Sequence, residues 1–427
     1  MKLIRFPGRN DWPKLTSRPV YDFAEVKSRV TLILEQVKNK GDKALHYFCK
    51  KFDSVEVDKF IVNQKEIKNA GNNLSKELKE AISIAINNVW IFHSTQIPTS
   101  EKTETYPGVH CWQKIVPIEK VGLYVPGGSA PLFSSLIMLG VPAKLAGCKE
   151  IIVCTPPGAD GEIHPAILFV AKLLEIDRLF LIGGAQAIGA MAYGTDTVPR
   201  VYKIFGPGNQ YVTAAKQLIS LEGTAVDLPA GPSEVAILAD KKANADFVAA
   251  DLLAQAEHGP DSQVLFITTD EKLLHRVTSA IGTQLNVLPR KKTAELSLKN
   301  SLAILIRNQK EALDLINMYA PEHLIIATEN ACELCNDIVN AGSVFIGNYT
   351  PVSAGDYASG TNHTLPTNAY ARNYSGVSLT SFTKNITFQE MSLNGLRALG
   401  PHIKVLAEAE YMQAHANSIS IRLEKLK

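Results

Sequence analysis

Ala243-Asn244-Ala245-Asp246-Phe247-Val248-Ala249-Ala250-Asp251-Leu252-Leu253-Ala254-Gln255-Ala256-Glu257-His258-Gly259-Pro260 reads as one helix. Alanine and leucine favour it, Asn244 or Asp240 caps its start, and Gly259-Pro260 stops it. Gln255 and His258, spaced i and i+3, share a face. An amide oxygen and an imidazole nitrogen then point the same way at the helix end. On spacing alone that end suits first a solvated last turn, where the helix dipole favours a cationic His258. An apolar run that reads as a strand, Glu234 to Leu238, precedes this helix, and a second, Gln263 to Thr268, follows it. Strand, helix and strand in that order make one unit of a parallel sheet covered by helices.

The same alternation continues outward. Downstream come a helix from Glu271 to Gln284 and a strand from Ser301 to Ile306. A helix from Lys310 to Tyr319 and a strand from His323 to Ala327 follow, then a helix from Ala331 to Asn340 and a strand from Ser343 to Ile346. Upstream, Ile115 to Ile118 and Val121 to Val125 read as short strands, and Leu132 to Ala146 as a helix. Glu150 to Cys154, Arg178 to Ile182 and Val201 to Phe205 are strands. They alternate with helices over Pro165 to Leu174, Ala185 to Tyr193 and Asn209 to Ser220. The fold expected is α/β: two Rossmann-like lobes with parallel sheets, a helical N-terminal segment and a helical C-terminal tail. Two such runs suggest two similar lobes, without a residue-level repeat to prove duplication. Boundaries are expected at 1–110 (helical segment, with helices from Asp22 to Lys38 and Ser75 to His93), 111–230 (first lobe), 231–380 (second lobe) and 381–427 (tail). Gly355 to Pro366 reads as an irregular loop, and 388–425 as helical, punctuated by Gly395 and Gly400-Pro401.

With 427 residues the chain is too long for one ordinary core. Its 46% hydrophobic and 20% charged content is that of a globular protein. A net charge of +2 supplies no basic stripe, which argues against nucleic acid as partner. No apolar run is long enough to span a membrane, and Met1 to Gly8 lacks an apolar signal core. The cysteines are Cys49, Cys111, Cys148, Cys154, Cys332 and Cys335. Cys332-Glu333-Leu334-Cys335 has redox or metal spacing, but no second pair accompanies it, and it reads as structural. A cytoplasmic protein with reduced thiols is expected.

Three glycine turns follow strands of the first lobe and precede helices: Pro126-Gly127-Gly128, Gly183-Gly184-Ala185-Gln186-Ala187-Ile188-Gly189 and Gly206-Pro207-Gly208-Asn209. Backbone N–H groups and a helix dipole meet an anion at such turns. None matches the G-x-G-x-x-G fingerprint with its later acidic residue. A second polar set lies in and after the second lobe. His258, Asp356 and His415 are donor types suited to Zn²⁺, although no compact zinc spacing joins them. Glu322 beside His323 places a carboxylate next to an imidazole, which suits proton transfer near neutral pH or an exposed turn.

The run Val226-Asp227-Leu228-Pro229-Ala230-Gly231-Pro232-Ser233-Glu234, continued by Asp251 to Gly259, resembles the signature of histidinol dehydrogenases. Gly122 to Gly128, Phe205 to Asn209, Ala320 to Leu324, Asp356 to Gly360 and Leu406 to Glu410 match as well. The resemblance spans nearly the whole chain, in order. Thr361 stands where proline is expected before Asn-His, and Tyr411 where glycine is frequent, which leaves local loop shape open. The resemblance implies NAD-dependent four-electron oxidation of L-histidinol to L-histidine through histidinaldehyde, at the last steps of histidine biosynthesis. It implies one Zn²⁺ per subunit on Gln255, His258, Asp356 and His415, and these ligands also meet the substrate. Ser233, His323 and Glu410 would contact the substrate, with His363 as a further contact. Glu322 and His323 would transfer protons, and Tyr124, Gln186 and Asn209 would touch NAD. It further implies a homodimer in which Glu410 and His415 complete the partner's site. A zinc hydrolase using Glu322, or a non-catalytic α/β binding module, are the competing readings. The first would have no use for the glycine turns and the second none for the acid/base pair.

Overall fold

A computed structural model describes residues 1–18, 23–127, 130–158, 160–229 and 231–425. Asp22, Gly128, Ser129 and Ala230, which the sequence reading placed at a helix start and in loops, lie outside the described residues.

Two parallel sheets carry the fold. The first holds β4 (Lys120–Tyr124), β5 (Glu150–Thr155), β6 (Arg178–Leu181), β7 (Lys203–Phe205) and β8 (Ala225–Val226), in the order β6-β5-β4-β7-β8. The second holds β9 (Glu234–Ala239), β10 (Gln263–Thr268), β11 (Leu302–Leu305), β12 (His323–Ala327) and β13 (Ser343–Ile346). It is joined at its edge by β1 (Lys2–Arg5), giving β1-β11-β10-β9-β12-β13. Each lobe starts in mid-sheet, steps outward twice, then returns to the other side. That shared winding is the structural likeness which two α/β runs implied. Apolar side chains cover both faces of these strands, as parallel sheets require.

Helix starts follow their capping residues. Ser75 Oγ accepts from Leu78 N at the head of Lys76–Ser94. Asn244, not Asp240, caps the central helix, accepting from Asp246 N at 2.9 Å. The helix Phe23–Lys40 lies on the first lobe, where Leu34 and Val37 press on Gly189. No helix among the described residues is long and apolar enough to cross a membrane.

Four local expectations are corrected. The central helix ends at Ala256 with Glu257 as its cap, so His258 stands just beyond it rather than on a shared helical face with Gln255. His258 N still reaches Gln255 O at 3.3 Å, and the turn is completed by Ser262 N to Gly259 O. The expected helix 331–340 stops at Leu334 and passes through a 3₁₀ turn, Cys335–Asp337. Asn317 draws the backbone away there, accepting from Val339 N and Asn340 N and donating to Asp337 O. The loop that carries Asp356 contains a short helix, Val352–Tyr357, entered through Pro351. Residues 383–391 are a strand, not the start of the tail helix. With β2 (Thr103–Tyr106) and β3 (Val109–Pro117), β14 (Thr383–Met391) forms an antiparallel sheet ordered β14-β3-β2. Phe388 stacks on Trp112 across it, with ring centroids 5.4 Å apart. The tail proper is two helices, Leu393–Ala409 and Gln413–Glu424.

One buried ion pair fixes the passage between lobes. Lys216 and Asp227 are almost fully enclosed and paired. Lys216 Nζ also donates to Gly206 O at 2.9 Å, and Asp227 Oδ2 accepts from Gly206 N at 2.8 Å. Gly206 has φ +131°, and a Cβ there would lie 2.1 Å from the Tyr124 carbonyl oxygen, so only glycine fits. The pair therefore locks the β7 turn to the segment that leaves the first lobe. Replacing one partner strands the other charge in the interior. Lys216→Met is expected to lower stability by about 3–5 kcal/mol, read as a shifted urea-unfolding midpoint. An unchanged midpoint would show that the pair does not hold the turn.

Candidate active site

A cavity of about 680 Å³ is lined from both lobes. The first lobe contributes the carboxyl ends of its strands: Pro126 after β4, and Pro207, Gly208 and Asn209 after β7. The second lobe contributes its amino edge: Ser233 and Glu234 at the head of β9, and Glu322 and His323 at the head of β12. The central helix runs back along its sheet, so its end delivers Gln255 and His258 to that same edge. Asp356, from the short helix, and His363 close the group.

Glu322 and His323 are buried side by side. Glu322 Oε2 accepts from Glu234 N at 2.8 Å and from Gln255 Nε2 at 3.5 Å, and lies 3.4 Å from His323 Nδ1. Its Oε1 takes no hydrogen bond from the described residues. His323 Nδ1 also lies 3.2 Å from Glu234 O, while Nε2 is 3.3 Å from Asp356 Oδ1, out of line for a hydrogen bond. Burial pulls the His323 pKa down, but the Glu322 and Asp356 carboxylates outweigh it and push it up to about 10. Asp356 is held below the ordinary carboxylate range: burial works against its charge, and His323, then His363 and His258, overcome that. His363 is lowered, burial prevailing over attraction to Asp356, and its Nδ1 meets Asp356 O at 2.8 Å.

Gln255 is 1% exposed, and its Oε1 has no partner. An orphaned amide oxygen in a cavity shared with His258 and Asp356 is a mixed oxygen and nitrogen donor set, the chemistry that suits zinc. Among the described residues no group of three or more His, Cys, Asp or Glu is close enough to hold a metal. The fit therefore depends on the amide oxygen and on a donor from elsewhere. His415 and Glu410 are exposed on the tail and do not line the cavity.

The three residues expected at NAD divide. Asn209 lines the cavity and caps the helix behind it, accepting from Tyr211 N and Val212 N. Tyr124 and Gln186 are buried outside the lining and shape the glycine turn between them. Tyr124 Oη accepts from Gly184 N at 3.0 Å, and burial pushes its pKa up to about 12. Gln186 packs under Gly184, whose φ is +65°. None of the cysteines lines the cavity.

Sequence reasoning missed Arg18. It lines the cavity and holds Glu234 with two parallel bonds, although the two residues are 216 positions apart. Glu234 closes the run Val226 to Glu234, which by itself assigns it no role. The only signal was its place directly after Ser233.

A sequence profile of the family described as "Histidinol dehydrogenase" matches residues 16–423. A "Histidinol dehydrogenase" of Bacteroides thetaiotaomicron is 55% identical over 427 residues, covering 100% of both chains. One of Vibrio cholerae is 48% identical over 416 residues, covering 97% of this chain and 96% of that one. The crystal structure of histidinol dehydrogenase from Elizabethkingia anophelis is 50% identical and superposes with a TM-score of 0.97, covering 100% of this chain and 98% of that one.

The backbone behind Glu322 and His323 leaves no slack. A Cβ on Gly342 would lie 2.5 Å from Glu322 O, a main-chain atom in the β12–β13 junction, where Ser343 N already donates to that oxygen. Gly342→Ala is expected to destabilise the fold by about 1–3 kcal/mol, measured by denaturant unfolding. Wild-type stability would mean that the junction yields freely.

Proposed function

Because the chain belongs to the histidinol dehydrogenase family, we propose that it converts L-histidinol to L-histidine through histidinaldehyde, with two NAD⁺ reduced per turnover, at the end of histidine biosynthesis. The observation that carries this reading is the Glu322–His323 pair, buried beside the orphaned Gln255 Oε1. It supplies a base, a second proton carrier and an unsatisfied ligand atom in one cavity.

Gln255, His258 and Asp356 would hold zinc together with the partner subunit's His415. Bound zinc would supply an electrophilic anchor for the substrate, and bound NAD⁺ would supply the hydride acceptor. Ser233 and the partner subunit's Glu410 would fix the substrate, with His363 alongside. His323 takes the alcohol proton. If Asp356 were a zinc ligand, its carboxylate would hold His323 less strongly in its cationic form. Glu322 then acts on water at the aldehyde. Its Oε2 is tied down by protein donors, so its free Oε1 is the oxygen that takes the water proton. The aldehyde hydrate loses the second hydride to give the acid, which balances four electrons against two NAD⁺. Tyr124, Gln186 and Asn209 would form the NAD side, the first two by shaping the Gly184 turn.

The tail supports a homodimer with shared sites. Val405 and Leu406 are 63% and 67% exposed, and Leu393, Met412 and Ile421 are open as well. So much apolar surface on a two-helix extension asks for a covering chain. Residues 1–110, 111–230, 231–380 and 381–427 would serve as brace, NAD lobe, metal and acid/base lobe, and exchanged tail. The compartment this chemistry suits is the cytoplasm.

The test of the reaction is stoichiometry: two NADH formed per histidinol consumed, and none after a chelator has removed the metal. His258→Asn should lose zinc, whereas Glu322→Gln should keep zinc and lose turnover. One NADH per histidinol, or zinc lost from Glu322→Gln, would overturn the assignment. Mixed dimers of His415→Asn and Glu322→Gln subunits should regain part of the activity, because one of the two sites is then intact. No recovery in verified heterodimers would count against sites shared between chains.

A further inference from the structure

Glu234 touches both members of the acid/base pair through its main chain. Its N–H donates to Glu322 Oε2 at 2.8 Å, and its carbonyl oxygen lies 3.2 Å from His323 Nδ1. Its side chain points the other way and is 2% exposed. There Arg18 clamps it, with Nε to Oε1 at 2.9 Å and Nη2 to Oε2 at 2.8 Å. The remaining guanidinium nitrogen, Nη1, donates to Thr16 O at 2.9 Å. The Arg18 guanidinium lies 3.7 Å from the centroid of the Tyr319 ring, and Tyr319 Oη donates to Gln263 Oε1 at 2.8 Å. Glu234 Oε1 also accepts from Asn368 N at 2.9 Å, on the segment that follows His363.

From this arrangement we infer that Arg18 is a positioning residue for the acid/base pair, acting through the two Glu234 main-chain contacts with Glu322 and His323. The inference rests on the role given to that pair above. A buried ion pair by itself says little about stability, because desolvation offsets its attraction. What distinguishes this one is where its far end leads. Every nitrogen of the guanidinium is engaged and its face is stacked, so its plane is fixed. Fixing the plane fixes the Glu234 carboxylate, and with it the one N–H at hydrogen-bond distance below 3 Å from Glu322. Without Arg18 a buried carboxylate is left near a second one, that of Glu322. Glu234 then turns toward water in the cavity, and the head of β9, still paired to its neighbours, loses the side-chain anchor that fine-sets its N–H on Glu322. The segment carrying Asn368 loses its anchor in the same movement.

The test uses Arg18→Lys and Arg18→Ala in the zinc-loaded enzyme. Lysine keeps the charge and loses the fork. Arg18→Ala should stay folded and zinc-bound, keep KM for histidinol and NAD⁺ within about twofold, and lose about tenfold to a hundredfold in kcat, the range for supporting shells around a reactive centre. Arg18→Lys should fall between. Millimolar guanidinium should restore part of the Arg18→Ala kcat, since the vacated space opens on the cavity. Unchanged kcat, a loss confined to KM or zinc content, or failure of guanidinium to rescue would overturn the inference. If Arg18→Ala does not fold, Arg18→Lys decides alone: a lower kcat at unchanged KM supports the role, and wild-type kcat ends it. A readout free of turnover separates this inference from the proposed reaction. The Cε1 resonance of His323 in histidine-labelled protein should move in Arg18→Lys even if histidinol is not the substrate. No histidinol turnover in the unsubstituted protein, with that resonance moved in Arg18→Lys, would sink the reaction and spare the linkage. A resonance that stays put would sink the linkage.

Discussion

The parallel pairing of β9 with β12 is the constraint on which the site depends. Its register sets His323 beside Val235 and therefore Glu322 beside Glu234. A slip of one residue would turn every side chain of β12 to the opposite face. The Glu234 N–H would then meet no carboxylate, and His323 would leave the cavity. The apolar side chains of both strands hold that register on their two covered faces. A stretch of ordinary core thus determines the geometry of two polar residues at its edge.

The cavity joins unlike ends of two like lobes. In the first, ligand-facing loops leave the carboxyl ends of β4 and β7, at the switch point where open α/β sheets commonly bind ligands. In the second, the lining comes from the amino edge, where strands begin and the preceding helices end. The two edges suit different work. Turns at carboxyl ends present N–H groups and helix N-termini, which favour an anionic cofactor. The amino edge gathers side chains from helix ends and strand heads, and those can be acids, bases and ligands. The Lys216–Asp227 pair sits at the chain's passage from one edge toward the other and is buried although it is charged.

How far the residues alone revealed this depends on whether a feature has a buried face. The parallel strands and their helices were legible because core packing imprints an apolar pattern. β14 was not, since all but its first residue is exposed, so no alternation marks it and its partner β3 alone sets its register. β1 is short, at a sheet edge and mostly exposed, and was hidden for the same reason. The end of helix 331–334 is decided by the Asn317 side chain, which no local pattern announces. In the site, Glu322 and His323 were legible as neighbours, and the strand alternation put them at a strand head. That Gln255, His258 and Asp356 share one cavity follows from winding a helix back along its sheet. Arg18 was invisible, because its partner is determined only once β9 is placed in the interior.

The cysteines bear on which chemistry the cavity can host. Oxidising an aldehyde further needs an oxygen nucleophile or a thiol to form the tetrahedral adduct from which hydride departs. Cys49 and Cys148 are buried, and desolvation pushes each up to about 12, far from a thiolate at neutral pH. Burial raises the Cys154 thiol further still, and Cys111, half-buried on β3, does not line the cavity. Cys332 and Cys335 sit on the short helix and turn after β12, and neither lines the cavity. No thiol lines the cavity, so in the reaction proposed above the adduct would be the hydrate. That demands a base whose reactive oxygen faces the cavity while its other oxygen is held. In that reading Glu322 would meet the demand, with Oε2 held by the Glu234 and Gln255 donors and Oε1 taking no bond from the described residues. The same carboxylate would be a poor base if both oxygens were satisfied and a poorly placed one if neither were.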